Sequence, residues 1–182
     1  MSLRPKLLGL ALLVEGAAFI AALVLARQWG IALFPLTEHL LRDMLIGTAA
    51  AAIPFALFVF TLSERAETIP LLGSMRRMMR GEIKAIFAST TLVDICLISL
   101  WAGLAEELLF RGVIQAKWGL LAASILFGLL HCVTPAYALL AMVIGLYIGL
   151  LHHFFQSLLI PIQLHSIYDF GALIYLRYVV RE

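Results

Sequence analysis

The sequence predicts an all-α protein, a polytopic membrane helix bundle of about six transmembrane helices with a polar site inside the membrane. Three observations carry that reading. The 182 residues are 63% hydrophobic and only 13% charged, whereas a soluble domain is about 25% charged. Apolar runs of the length a bilayer core requires, about 20 residues of helix, recur along the chain and are bounded by charge, proline or turn residues. A few ionisable residues nevertheless fall inside those runs, at helical spacing. No Gly/Ser-rich or low-complexity linker divides the chain, so a single integral-membrane domain is expected over 1–182, with a motif-bearing core at about 85–180. The formal net charge of +2 is too small to point to nucleic acid. Cys96 and Cys132 lack C-x-x-C spacing and say nothing about redox compartment.

Residues 7–26, behind Arg4 and Lys6, form the first run; it exceeds the 7–15 residues of a signal-peptide core and is expected to stay as an anchor. The second run covers 44–62, after a short loop with Arg27 and Arg42. Residues 63–84 are the most polar stretch. Their Arg65, Arg76, Arg77, Arg80 and Lys84 place this loop and the N-terminus in the cytoplasm by the positive-inside rule. Within it, "LLGSMRRMMRGEIKAIF" reads either as a basic amphipathic helix on the membrane surface or as a solvated loop before a helix. Residues 85–117 would make about 50 Å of straight helix, longer than the bilayer core, so a bend or break is expected near Gly103. A turn at Trp118-Gly119 and further spans at 120–131, 135–155 and 161–180 complete the bundle. Arg177 and Arg181 suit a cytoplasmic C-terminus.

An ionisable side chain at the bilayer centre costs roughly 2.5–3.5 kcal/mol on insertion scales, so a cluster of them is a functional hypothesis. In "AEELLFRG", Glu107 sits one turn before Arg111, close enough to pair, while Glu106 points about 100° away. Phe127 and His131 share a helix face in "FGLLH", as do His165 and Asp169 in "HSIYD". The midpoint of Glu106 and His131 falls at the Trp118 turn, so antiparallel helices hold carboxylate and imidazole at one depth. The midpoint of His131 and His165 falls inside an apolar run, so the chain must bend elsewhere, most simply at "HCVTPAY". Each feature has a plain structural reading: Glu107 with Arg111 as an ion pair that makes burial tolerable, either histidine alone as a packing residue. Glu15 and Asp94 read as singletons facing polar neighbours or snorkelling, Met75, Met78 and Met79 as packing, His152 and His153 as interfacial. Co-occurrence of an unpaired Glu106, two histidines and a carboxyl partner in separate helices favours chemistry.

The ordered series E-E-x-x-x-R (Glu106, Glu107, Arg111), F-x-x-x-H (Phe127, His131) and H-x-x-x-D (His165, Asp169) resembles the signature of the CAAX-processing and bacteriocin-processing (CPBP) intramembrane proteases, also called the Abi or type II CAAX prenyl endopeptidase group. The resemblance covers about 102–169. It implies a glutamate-type endopeptidase, without cofactor or metal, that cleaves a membrane-associated protein or peptide in a bacterial plasma membrane. Matched by position, Glu106 is the base and His131 its partner on the water. His165 and Asp169 form the oxyanion side, and Glu107, Arg111 and Phe127 shape the site. Many relatives carry Asn where this chain has Asp169, and an ionised Asp repels an oxyanion. Asp169 therefore either orients His165 or donates as a neutral acid.

Two other readings stay open. Glu106, His131, His165 and Asp169 are all competent zinc ligands, although the H-E-x-x-H helix is missing. A non-catalytic immunity or scaffold protein could keep the cluster for binding. Substrate identity and oligomeric state are not legible in the residues.

Overall fold

The structure, a computed structural model, describes residues 3–180, and every regular element among them is helical. Helix α1 (Leu3–Trp29) and helix α2 (Leu40–Thr61) are followed by a surface helix, α3 (Pro70–Met78). Then come α4 (Leu92–Glu107), α5 (Ala116–Leu130), α6 (Pro135–Phe155) and α7 (Leu159–Ile174). Among the described residues, five continuous helical stretches are long and apolar enough to cross a membrane: α1, α2, Leu92–Leu130, α6 and Leu159–Val179. The stretch Leu92–Leu130 is two limbs. At Gly119 the backbone takes φ +85°, a conformation that a Cβ disfavours, and the chain reverses there as the Trp118-Gly119 turn predicts. The return limb, residues 120–130, is only about 16 Å of helix. The expected span at 120–131 is therefore a half-length limb that stops inside the bundle.

Contacts along the chain define the arrangement. Helices α1 and α4 run parallel: Arg4 pairs with Asp94 at 2.7 and 2.9 Å, Phe19 meets Trp101 at 5.2 Å and Trp29 meets Trp118 at 5.4 Å between ring centroids. Asp94 thus faces a polar neighbour, one of the two expectations for it. Helix α2 runs parallel to α7, with Gly47 against Gln163, Phe58 against Tyr168 and Phe55 against Tyr175. Pro54 lacks the N–H that would bond the Ala50 carbonyl, and the Tyr147 hydroxyl of α6 donates to that carbonyl instead, at 3.1 Å. A helical irregularity thereby becomes an interhelix tie.

The 70–87 segment is helical: α3 continues through a widened π turn, Met79–Ile83, into Lys84–Phe87. Met75, Met78 and Met79 are buried, and the latter two pack on Phe58, Leu62 and Leu176, as their packing assignment requires. Arg177 donates to the Phe87 carbonyl at 2.7 Å and to Thr90 at 3.0 Å, tying the end of α7 to this segment. Leu3 and Val180, the described ends, therefore lie on the same face of the bundle as the basic 63–84 stretch. Arg181 and the terminal residues themselves lie outside the described residues. Leu10, Leu12, Leu13, Val14 and Ile20 of α1 are each more than half exposed, an apolar surface that only lipid or a partner would cover.

The break expected near Gly103 lies elsewhere. Helix α4 passes through Gly103 without interruption, and the chain breaks before it, at 88–91. There Thr91 accepts from the Asp94 N–H at 3.2 Å while the Asp94 carboxyl accepts from the Thr91 N–H at 2.7 Å, a reciprocal cap that starts a new helix. Gly103 serves packing: a Cβ there would overlap Ser166 Oγ and stand 2.9 Å from the Ser166 nitrogen, so its absence lets α7 approach. Gly103→Ala should lower stability by about 1–3 kcal/mol. Gly9→Ala, with nothing within 4 Å of the new Cβ, should change it by less than about 0.5 kcal/mol. Unfolding in detergent measures both, and equal stability of the two variants would refute the packing role.

Candidate active site

Helix α4 divides its two adjacent glutamates by direction. Glu107 and Arg111, one turn apart, are both fully buried, and Arg111 Nε donates to Glu107 Oε2 at 3.0 Å. This is the ion pair the spacing predicts. The other oxygen, Oε1, accepts from His165 Nδ1–H at 2.7 Å, a contact that nothing in the spacing of either motif announced. The helix widens into a π turn at Leu108–Gln115, which buries Phe110 and Arg111 together. Such turns are frequent at functional sites. Arg111 Nη1 and Nη2 find no hydrogen-bond partner, and the guanidinium lies 5.4 Å over the Phe127 ring, a partial electrostatic compensation.

Room for that guanidinium comes from α6. A Cβ at Gly145 would stand 3.3 Å from Arg111 Nη2, and one at Gly149 would stand 3.1 Å from Nη1. The pair forms the G-x-x-x-G spacing of close helix packing, a signal present in "GLYIG" that could have marked this contact from the sequence.

Glu106 points the other way, toward a cavity. Its Oε2 is buried without a hydrogen-bond partner and lies 3.6 Å from His131 Nε2, beyond a good hydrogen bond. His131 closes the half-length limb α5, stacked on Phe127 at 4.3 Å between centroids. Its Nδ1 is 2.8 Å from the Phe127 carbonyl; a carbonyl only accepts, so Nδ1 carries the hydrogen and the neutral ring presents Nε2 as an acceptor. His165 likewise gives Nδ1–H to Glu107 and turns Nε2 toward Asp169 Oδ2, 3.4 Å away. The bend that brings α7 into register lies where expected, with Thr134 and Pro135 starting α6.

Glu106, Phe127, His131, His165 and Asp169 line one cavity of about 80 Å³, which Tyr137 and Tyr168 also enclose. An adjoining chamber of about 350 Å³ shares Glu106, His131, Asp169 and both tyrosines, and is otherwise walled mainly by apolar side chains of α2, α4, α7 and the segment after α3. Glu15 of α1 lines that chamber with a buried, unpartnered oxygen. It neither snorkels nor finds a polar partner. Sequence reading missed Glu15 and the two tyrosines because nothing in their local spacing shows which helix face meets a cavity. Among the described residues, no three His, Cys, Asp or Glu side chains converge as metal ligands would.

An acid–histidine constellation enclosed by membrane helices defines the class of site. Residues 88–171, just under half of the chain, match the family model for type II CAAX prenyl endopeptidases, Rce1-like. Over those residues the chain is similar to the Rce1-like domain of the CAAX protease (CPBP) family. It is also similar to the "Uncharacterized protein YpbD" of Bacillus subtilis (strain 168), with 35% identity over 107 residues, 56% of this chain and 57% of the relative. The chain thus spans a little over half the length of that curated relative. No solved structure matches. The family match contains every motif residue and excludes Glu15.

Removing one partner from a buried ion pair strands the other and costs about 3–5 kcal/mol. Glu107→Gln should therefore destabilise the bundle on that scale, visible as earlier unfolding in detergent. A Glu107→Gln protein as stable as the parent would mean that Arg111 finds its compensation elsewhere.

Proposed function

We propose that the chain is an intramembrane endopeptidase that hydrolyses a peptide bond of a membrane-associated protein or peptide with water activated by Glu106 and His131. One observation carries the reading. The Glu106 carboxyl and the acceptor nitrogen of His131 face each other at 3.6 Å across a cavity. A water entering between two acceptors donates both hydrogens to them and directs a lone pair outward. Attack on a carbonyl then passes a proton to Glu106, which returns it to the leaving amine. His165 and Asp169 occupy the side where the oxyanion develops. His165 is held there by Glu107, itself held by Arg111, so its ring is oriented before substrate binds. Glu107, Arg111 and Phe127 act on this reading as positioning residues.

The mainly apolar 350 Å³ chamber suits an apolar segment of substrate. The excess of basic residues on the face shared by the 63–84 stretch and both described ends supports cytoplasmic termini in a bacterial plasma membrane. Prenylated tails, leader peptides and hydrophobic C-terminal sorting segments are the substrate classes to test. Comparing membrane-protein termini by mass spectrometry in cells with active and inactive enzyme would identify the substrate.

Glu106→Gln keeps shape and removes basicity. It should abolish cleavage while leaving insertion and thermal stability unchanged; an active Glu106→Gln enzyme would falsify the assignment. The glutamate-type reading further expects chelators to leave cleavage intact and elemental analysis to find no stoichiometric zinc. A single zinc whose removal abolishes activity and whose return restores it would make the chain a metalloprotease instead. Folded protein that binds candidate substrates and cleaves none would favour the immunity or scaffold reading.

A further inference from the structure

We propose that Tyr137 is a further catalytic residue, whose phenolic O–H donates a hydrogen bond to the oxyanion formed at the substrate carbonyl. The inference rests on the proposed hydrolysis and concerns its unbalanced half, the donors. The polar side chains around the inner cavity are Glu106, His131, Tyr137, His165, Tyr168 and Asp169. His131 commits its Nδ1–H to the Phe127 carbonyl and His165 commits its Nδ1–H to Glu107. Any hydrogen on His165 Nε2 faces the Asp169 carboxyl at 3.4 Å. Glu106 and Asp169 are acceptors when ionised. Asp169 also stands where an amide would offer N–H groups. With these hydrogens already engaged, His165 and Asp169 leave the oxyanion short of donors, and a further buried O–H or N–H donor is what such a step needs.

The phenols of Tyr137 and Tyr168 are the O–H groups on this wall, and neither makes a hydrogen bond to another described residue. Geometry separates them. The Tyr137 ring meets the His131 ring edge-on at 6.3 Å between centroids, beside the pair that would activate water. Tyr168 packs instead on Phe58 at 6.5 Å. Tyr137 is also held at its backbone: Thr134 caps α6 and its side-chain oxygen accepts from the Tyr137 N–H at 3.1 Å. In the step itself, water oxygen bonds to the carbonyl carbon, the carbonyl π pair moves to oxygen, and the water proton goes to Glu106. The Tyr137 O–H donates to the new oxyanion without transferring its proton. Collapse restores the carbonyl and expels the amine, which takes the proton from Glu106.

The test compares the parent with Tyr137→Phe, Tyr168→Phe and Glu106→Gln. Phenylalanine keeps the ring, so a packing role alone is preserved. The binding probe is an apolar peptide difluoroketone, whose hydrate mimics the tetrahedral intermediate, beside the same peptide with an ordinary amide. Tyr137→Phe should bind the difluoroketone about tenfold more weakly than the parent, bind the amide peptide equally, and unfold at the parent's temperature. With a pool of quenched-fluorescent apolar peptides in micelles, its kcat should fall about 10²–10³-fold at nearly constant KM. Equal difluoroketone binding by parent and Tyr137→Phe, including binding by neither, overturns the proposal, as does a larger kcat loss in Tyr168→Phe. If Glu106→Gln cleaves like the parent, the hydrolytic reading fails separately, because the difluoroketone comparison does not depend on turnover.

Discussion

A buried charge chain runs from Arg111 through Glu107 to His165, and the rest of the site depends on its being complete. Arg111 and Glu107 are fully buried, where an uncompensated ion would cost several kcal/mol. Each link answers the next: the guanidinium holds one oxygen of Glu107, and the other oxygen takes the His165 hydrogen at 2.7 Å. The result is that an α7 side chain is oriented by an α4 carboxylate, and the tautomer of its ring is set before any ligand arrives.

Space for this chain is made by glycine. Gly145 and Gly149 let α6 close over the guanidinium, and Gly103 lets α7 press on α4 through Ser166. The π turn after Glu107 supplies the complementary adjustment within α4. At this site the departures from regular helix packing serve to enclose ionised groups. Elsewhere the helices meet through apolar and aromatic contacts, such as Phe19 with Trp101 and Phe58 with Tyr168, and through more exposed polar ties such as Arg4 with Asp94.

The two sides of α4 are thereby given opposite characters. On the Glu107 side both carboxylate oxygens are engaged. On the Glu106 side the oxygen facing His131 lacks a hydrogen-bond partner, the half-length limb α5 ends, and a cavity opens into a wider apolar chamber. One residue step along a helix, about 100° of rotation, separates a structural carboxylate from an available one. The membrane sharpens that contrast, since no bulk water compensates a group that lacks a partner.

Helical character, the Gly119 reversal and the co-location of Glu106 with His131 were legible in the residues because they follow from local rules. Those rules are run length against bilayer thickness, a glycine at a turn, and equal distances from that turn. The same rules paired Glu107 with Arg111. They misplaced the break at Gly103, because a glycine in a helix reads alike whether it bends the chain or admits a neighbour; only the position of Ser166 distinguishes these. They treated Asp94 and Glu15 as equivalent singletons, although Asp94 meets Arg4 ninety residues away in sequence and Glu15 lines the chamber beside the site. By itself the sequence determined which long apolar segments are helical, where the chain reverses, and which motif residues stand near one depth, since periodicity and length act within a segment. Only the tertiary structure decided that Glu107 holds His165, that Tyr137, Tyr168 and Glu15 line the cavities, and that Gly145 and Gly149 receive Arg111. These depend on the rotation and closeness of helices that chain-local energetics leave free, and packing around buried charge selects them.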